Sequence, residues 1–225
     1  MKKKITAIIP VKKNSVRLKN KNFIPFYKNK SLLEIKIIQL KKLKFIDQIV
    51  ISSDFSQVEK LAKKYSVSFH KREKYYASDK CSGSEFFYNL ASSIEGDYLV
   101  YAPCTSPIIY RKTYNNFFKT FFKFKDKYNS YNTVSNIKHF LWKKNKPLNY
   151  DVTNAPNSQN LPDNFYTISF GISILSKKMM MRMRNIVGVK PKFIVLDKVE
   201  ATDIDDGVDF ELAKILYKKN YNKLL

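Results

Sequence analysis

Ile5-Thr6-Ala7-Ile8-Ile9-Pro10, continued by Val11-Lys12-Lys13-Asn14-Ser15-Val16-Arg17-Leu18-Lys19-Asn20-Lys21-Asn22, is the stretch that decides the fold. Ile5 to Ile9 is a short, largely apolar and β-branched run, and Pro10 ends it, which reads as a buried strand. The segment after it is polar and basic. A buried strand feeding such a loop, with a helical stretch beyond, is how open α/β sheets build anion sites at the carboxyl ends of their strands. The loop lacks the glycines of a P-loop or of a GxGxxG turn, so neither of those nucleotide motifs applies.

Working outward, residues 31–44 place apolar groups at 32, 33, 35, 37, 38, 40 and 43. That is helical spacing, with Ser31 as N-cap and Glu34 three residues on, a capping box. Gln48–Ser52 reads as a strand, Ser56–Tyr65 as an amphipathic helix and Val67–Phe69 as a short third strand. The order β-loop-α-β-α-β predicts a parallel sheet with right-handed crossovers. Residues 71–85 read as a loop and 84–94 as a helix. Asp97–Ala102 is a buried strand that runs into Pro103-Cys104-Thr105-Ser106-Pro107.

A helix over 111–126 carries a Phe stripe at 117, 118, 121, 122 and 124, which reads as core. Strands at 131–137, 166–175 and 193–196 follow, with helices at 177–184 and from Asp209 to Tyr217. The methionines of 177–184 read as packing. Residues 138–165 show no period, and so long a stretch reads as functional or interface-forming. The pattern as a whole predicts an α/β fold with a mostly parallel sheet.

The chain has 225 residues, 42 Lys+Arg against 19 Asp+Glu, and a formal charge of +23. Residues 1–44 hold fourteen Lys+Arg and the single acid Glu34. This balance suits a polyanionic partner. A composition rich in Lys, Asn, Ile and Tyr also accounts for the total, but not for the N-terminal clustering. Cys81 and Cys104 have no CxxC spacing and fit a reducing cytoplasm. His70 and His139 are isolated and read as edge or surface residues. The apolar run after the initial lysines is too short for a signal peptide, and no stretch approaches a membrane span.

The acidic cluster Thr202-Asp203-Ile204-Asp205-Asp206-Gly207-Val208-Asp209 stands out in so basic a chain. In an extended segment Asp203 and Asp205 point to the same side. Two carboxylates on one face suit Mg²⁺, whose octahedron substrate phosphates complete. Asp206 and Asp209 suit the N-terminus of the last helix. The basic loop and the carboxylate pair at one sheet edge predict a nucleoside triphosphate with Mg²⁺.

Five segments in order resemble the bacterial acylneuraminate cytidylyltransferases (CMP-sialic acid synthetases and relatives). They are Pro10 to Arg17 closed by Lys21-Asn22, Arg72 followed by Ala77-Ser78-Asp79, Cys104-Thr105-Ser106-Pro107, Gln159-Asn160-Leu161-Pro162, and Asp203-Ile204-Asp205. The resemblance covers nearly the whole chain and implies transfer of CMP from CTP to an acidic sugar with release of pyrophosphate. It implies an α/β three-layer sandwich with a mostly parallel, Rossmann-like sheet, one nucleotidyltransferase domain over residues 1–225, and a homodimer, with residues 138–165 as the protruding dimerisation and substrate arm. Lys12, Asn14, Ser15 and Asn22 would hold the nucleotide. Arg72, Ser78 and Ser82 would lie near base and ribose. Lys21, Arg17 and Asp205 would carry catalysis, and Asp203 with Asp205 would bind Mg²⁺. Thr105, Ser106 and Gln159 would face the acceptor, Gln159 from the partner's arm.

The family's loop Arg is Lys12 here, and its loop Lys is Val16 with Arg17 beside it. Pro103 stands for the Gln before the Pro-Thr-Ser-Pro loop, Ile108-Ile109-Tyr110 replaces the Arg after it, and Asn157-Ser158 replaces the Arg before Gln-x-Leu-Pro. The nucleotide half thus matches better than the acceptor half. That leaves open a modified nonulosonic acid or a phosphonate such as 2-aminoethylphosphonate. From other classes stand a basic nucleic-acid-binding protein and a catalytically inactive relative.

Overall fold

The computed structural model describes residues 2–13, 15 and 17–224. In chain order, Ile5–Pro10 forms β1, Pro25–Tyr27 and Lys30–Ser31 form the hairpin β2–β3, and Leu32–Lys41 forms α1. β4 (Gln48–Ser53), α2 (Val58–Lys64) and β5 (Ser68–Lys71) follow, then α3 (Gly83–Ser93), β6 (Tyr98–Tyr101) and α4 (Arg111–Phe124). The rest comprises β7 (Ser130–Asn136), β8 (Trp142–Lys143), β9 (Lys146–Pro147), β10 (Tyr166–Ser176), α5 (Lys177–Met183), β11 (Pro191–Val195), α6 (Gly207–Lys219) and α7 (Tyr221–Leu224).

Seven strands form one sheet in the order β11-β7-β10-β6-β1-β4-β5. β1 pairs in parallel with β4 and β6, and β4 with β5. β10 runs antiparallel to both β6 and β7, while β11 is parallel to β7. Only β10 therefore runs against the others, so the sheet is mostly parallel. β10 needs no crossover helix before it, because the chain returns to it directly from the arm.

Alternation along β1 divides the interior in two. Ile5, Ala7 and Ile9 enter one core with α1, α4 and α6, and Ile8 enters the other with α3 and α5. The predicted three-layer sandwich follows from these two faces. α1 is buried on almost every side, Lys36 and Gln39 included. Its capping box forms as predicted: Ser31 Oγ accepts from Glu34 N, and the Glu34 carboxylate accepts from Ser31 N. The Phe stripe of α4 buries Phe117, Phe118 and Phe121 but leaves Phe122 exposed. His70 lies on the edge strand β5 and His139 is exposed, both as read from the sequence.

The hairpin β2–β3 has no clear signal in the sequence. Lys28 and Asn29 both take positive φ (47° and 57°). That is the conformation of a two-residue type I′ turn, which Lys-Asn signals only weakly beside Asn-Gly. Residues 138–165, expected to lack regular structure, hold β8–β9 and a 3₁₀ turn at Ser158–Asn160. The Asn149 side chain pins the base of this hairpin, accepting from Leu141 N and donating to His139 O. Phe140, Trp142, Leu148 and Val152 of the arm are exposed.

The chain runs from β1 to β4 and β5 on one side, then crosses to β6 on the other side of β1. The carboxyl ends of β1 and β6 thus mark the point where the winding reverses, which is where open α/β sheets bind ligands.

Candidate active site

A cleft of about 660 Å³ opens at that point. The end of β1 supplies Pro10, Val11 and Lys12, and the basic loop supplies Ser15, Arg17, Lys21 and Asn22. Arg72 follows β5, Ser78 and Ser82 precede α3, Pro103 and Thr105 follow β6, and Asp205 precedes α6. Ten of the predicted site residues therefore share one wall system, although they are scattered between positions 12 and 205. The lining holds four cations (Lys12, Arg17, Lys21, Arg72) against two carboxylates (Asp79, Asp205), so its field favours an anion.

Lys21 is mostly buried. Its Nζ donates to Ile204 O at 2.5 Å and stands 3.9 Å from Asp205 Oδ1. Arg17 Nη2 donates to Asp205 Oδ1 at 2.7 Å. On the far wall Lys12 Nζ lies 3.1 Å from Asp79 Oδ1. Asn22 joins the basic loop to the loop after β6, its Oδ1 accepting from Cys104 Sγ at 3.2 Å. Burial pushes that thiol up to about 12, so it stays protonated and serves as a donor.

Arg72 is almost fully buried in the body of the cleft wall. Its Nη2 donates to Val11 O at 2.7 Å, and its guanidinium lies over the Phe86 ring. Burial lowers its pKa, but an arginine stays charged. Its Nε has no partner among the described residues, a buried donor left free beside the cleft. Ser82 is the N-cap of α3, in a capping box with Glu85. Its hydroxyl is already engaged with that carboxylate.

Ile204 is buried, its N–H donates to Thr105 O at 2.9 Å, and its carbonyl accepts from Lys21. The side chains of Asp203 and Asp205 flank this anchored residue. Only Asp205 reaches the cleft lining. Asp203 lies behind the wall, accepting from Ser106 Oγ at 3.3 Å. Among the described residues no group of three or more His, Cys, Asp and Glu could hold a metal by itself. A hard cation here would need phosphate oxygens besides these carboxylates, which is how Mg²⁺ is usually bound.

Two expectations are corrected. Ser106, expected to touch the acceptor, is buried and absent from the cleft wall, because its hydroxyl turns inward to Asp203. Asp203, expected to face the same side as Asp205, instead turns behind the wall to Ser106 while Asp205 lines the cleft. Gln159, expected to serve a partner's cleft, sits on the exposed 3₁₀ turn of the arm and does not line this chain's own cleft. Asn14 falls outside the described residues. Sequence reasoning missed Tyr76, Phe86 and Tyr101, which line the cleft with aromatic surface. Tyr76 and Phe86 carried no motif, and Tyr101 read only as strand.

The family model described as "Cytidylyltransferase" matches residues 6–167, which include the basic loop, Arg72 and the loop after β6. The chain belongs to the cytidylyltransferase family. An N-acylneuraminate cytidylyltransferase of Escherichia coli is 28% identical over 250 residues, covering 100% of this chain but 55% of that protein. This chain thus spans about half of that relative's length. A pseudaminic acid cytidylyltransferase of Campylobacter jejuni is 26% identical over 231 residues, covering 96% of this chain and 97% of the relative. In fold, this cytidylyltransferase-family chain is similar to a CMP:2-keto-3-deoxy-manno-octonic acid synthetase complexed with CTP, at TM-score 0.68 and 11% identity, with 96% and 99% of the two chains covered. It is also similar to a 4-diphosphocytidyl-2C-methyl-D-erythritol synthase from Anaerococcus prevotii, at TM-score 0.68, 14% identity and the same coverage. No helix among the described residues is long and apolar enough to cross a membrane.

Proposed function

We propose that this chain transfers CMP from CTP to a nonulosonic acid, a sialic-acid-like or pseudaminic-acid-like acidic sugar, and releases pyrophosphate. The observation that carries the reading is the meeting of Arg17 and Lys21 with Asp205 across a cleft at the winding reversal of the sheet. Family membership and the two curated relatives support the base and the acceptor class.

In the reaction, an acceptor hydroxyl oxygen forms a bond to the α-phosphorus and gives up its proton to solvent water, while the bond from that phosphorus to the bridging oxygen breaks. The electron pair leaves with pyrophosphate. Lys12, Ser15, Arg17 and Lys21 would hold the triphosphate, and the cations would offset charge growing on the leaving group. Asn22, Arg72, Ser78 and Ser82 would bound the nucleoside end, with the free Arg72 Nε as an unspent donor. Asp205, with Asp203 behind it, would hold Mg²⁺ together with phosphate oxygens, and the ion would supply electrophilic assistance at the phosphates. Thr105 would face the acceptor.

The arm's exposed Phe140, Trp142, Leu148 and Val152 suit an interface with a second copy. Gln159 would then serve the partner's cleft. The excess charge outside the cleft has no role in this reading, so nucleic acid is not a partner in it.

The test is pyrophosphate release with CTP and Mg²⁺ against N-acetylneuraminic acid, pseudaminic acid, 3-deoxy-octulosonate and 2-aminoethylphosphonate. Release with a nonulosonic acid is expected. Release with the phosphonate alone would transfer the assignment to that acid. A protein that binds no CTP would end the enzyme reading.

A further inference from the structure

Behind the acceptor side of the cleft lies a lysine that the proposed reaction does not use. Lys36 on α1 is completely buried. Its Nζ donates to Ser106 O at 2.8 Å and contacts Tyr114 Oη at 2.9 Å. One turn further along α1, Gln39 Nε2 donates to Pro107 O at 2.7 Å. Two side chains of one helix thus grip two successive carbonyls of the loop after β6.

The opposite side of that loop faces the acidic segment. Thr105 O accepts from Ile204 N, and Ser106 Oγ donates to Asp203. Ser106 is therefore the hinge of the arrangement: its carbonyl is held by Lys36 and its hydroxyl holds Asp203. Thr105, the next residue back, is on the cleft wall.

Stability does not explain a buried ammonium in this place. Removing a charge from water is costly, and an apolar side chain of similar length in a packed core is often neutral or stabilising by comparison. Burial pulls the Lys36 pKa down to about 7, which registers the same cost. The grip does not need the charge, since a neutral amine still offers two N–H donors. What the position requires is a donor that reaches the Ser106 carbonyl from behind.

We propose that Lys36 is a positioning residue that fixes Thr105 and Ser106, and through the Ser106 hydroxyl the Asp203 carboxylate, against the acceptor side of the cleft. The inference rests on the cytidylyltransferase reading for its consequence but not for its geometry. It makes α1 the reference frame for the acceptor wall, while the nucleotide wall hangs on β1 and the basic loop.

The test uses Lys36→Met and Tyr114→Phe in the full chain, with two readouts. Amide hydrogen exchange of Ile204, whose N–H bonds Thr105 O, should quicken by roughly tenfold in Lys36→Met, while β1 and β4 amides keep their rates. Tyr114→Phe leaves the lysine in place with one partner fewer and should shift Ile204 in the same direction by a smaller factor. With an acceptor that the wild type uses, kcat/KM for the acceptor should fall about tenfold in Lys36→Met, while KM for CTP stays within about twofold. Wild-type exchange at Ile204 in every variant that folds overturns the proposal, as does an equal loss for CTP and acceptor. A wild type without turnover on any acceptor would instead count against the function, and the Ile204 exchange would still decide the role of Lys36.

Discussion

Arg17 and Asp205 lie 188 residues apart in the chain and meet at 2.7 Å across the mouth of the cleft. Both side chains are about half exposed, 63% and 48%. An exposed pair of this kind is worth only about 0–1 kcal/mol to the fold. In the proposed reaction its members would face the phosphates and a cation instead, where a charge would act on the transition state.

That contrast separates activity from stability. Asp205→Asn keeps the backbone N–H that bonds Asp209, and Arg17→Gln keeps most of its side-chain length. Each variant is expected to melt within roughly 4 °C of the wild type, the shift that about 1 kcal/mol produces in a domain of this size. Turnover should drop by roughly 10²-fold or more. Pyrophosphate release and calorimetry check both. An active Asp205→Asn removes the metal and catalytic assignments together.

Lys21 should behave differently. Its ammonium is largely buried and bonded to the carbonyl of Ile204, so it holds the acidic segment in place as well as facing the cleft. Lys21→Met leaves that carbonyl without its donor, at a cost of about 1–3 kcal/mol. A lower melting temperature and weaker CTP binding in calorimetric titration are expected together. A variant that loses CTP affinity but melts like the wild type would show that the Ile204 contact carries no weight.

The parallel part of the sheet was legible because the order of short apolar runs and helical stretches, and the capping box of α1, are local signals. Ile5 to Ile9 reads as a strand and Ser31 with Glu34 as a helix start from their own residues, but that Ile8 faces one core and Ile5, Ala7 and Ile9 the other shows only in the structure. The antiparallel direction of β10 was not legible, because a strand's direction depends on where the arm returns it. The residues of the cleft were named mostly through motifs. Ser106 was misplaced because a motif fixes its position in the chain but not which way its hydroxyl turns. Lys36 was invisible because a lysine at a buried helix position looks like any other lysine of so basic a chain. Only its partners, the carbonyl of Ser106 and the hydroxyl of Tyr114, set it apart.

The arm offers a prediction about assembly. Trp142 is 51% exposed and stacks edge-on with Tyr150, as Phe140 does, giving a compact apolar cluster. Clusters of this kind mark contact surfaces. Sedimentation of the wild type should show a dimer, and Trp142→Ser combined with Phe140→Ser should shift it to monomer. The folded core should be undisturbed, since the arm's own pin, Asn149, is untouched. A wild type that sediments as a monomer at every concentration would leave the arm without an interface role.

Acid should loosen the cleft wall at Ser82 through Glu85. Its carboxylate accepts from Ser82 Oγ, from Ser82 N and from Tyr75 Oη, at 2.7, 2.9 and 2.7 Å. These bonds to the charged form, that from the Ser82 hydroxyl first, hold its pKa down from 4.5 to about 2. A carboxyl with a depressed folded-state pKa contributes stability above its unfolded value and loses it as pH falls through the folded one. The contribution is therefore whole above about pH 5 and fades toward about pH 2. Glu85→Gln cannot titrate, so the melting-temperature advantage of wild type over this variant should shrink across that window. Ser82 lines the cleft, so CTP affinity should fall more steeply with acid in the wild type than in the variant, the remaining fall common to both coming from the other carboxylates and the nucleotide itself. An advantage that stays constant from about pH 6 to about pH 2.5 would show that the capping box leaves this carboxyl unperturbed.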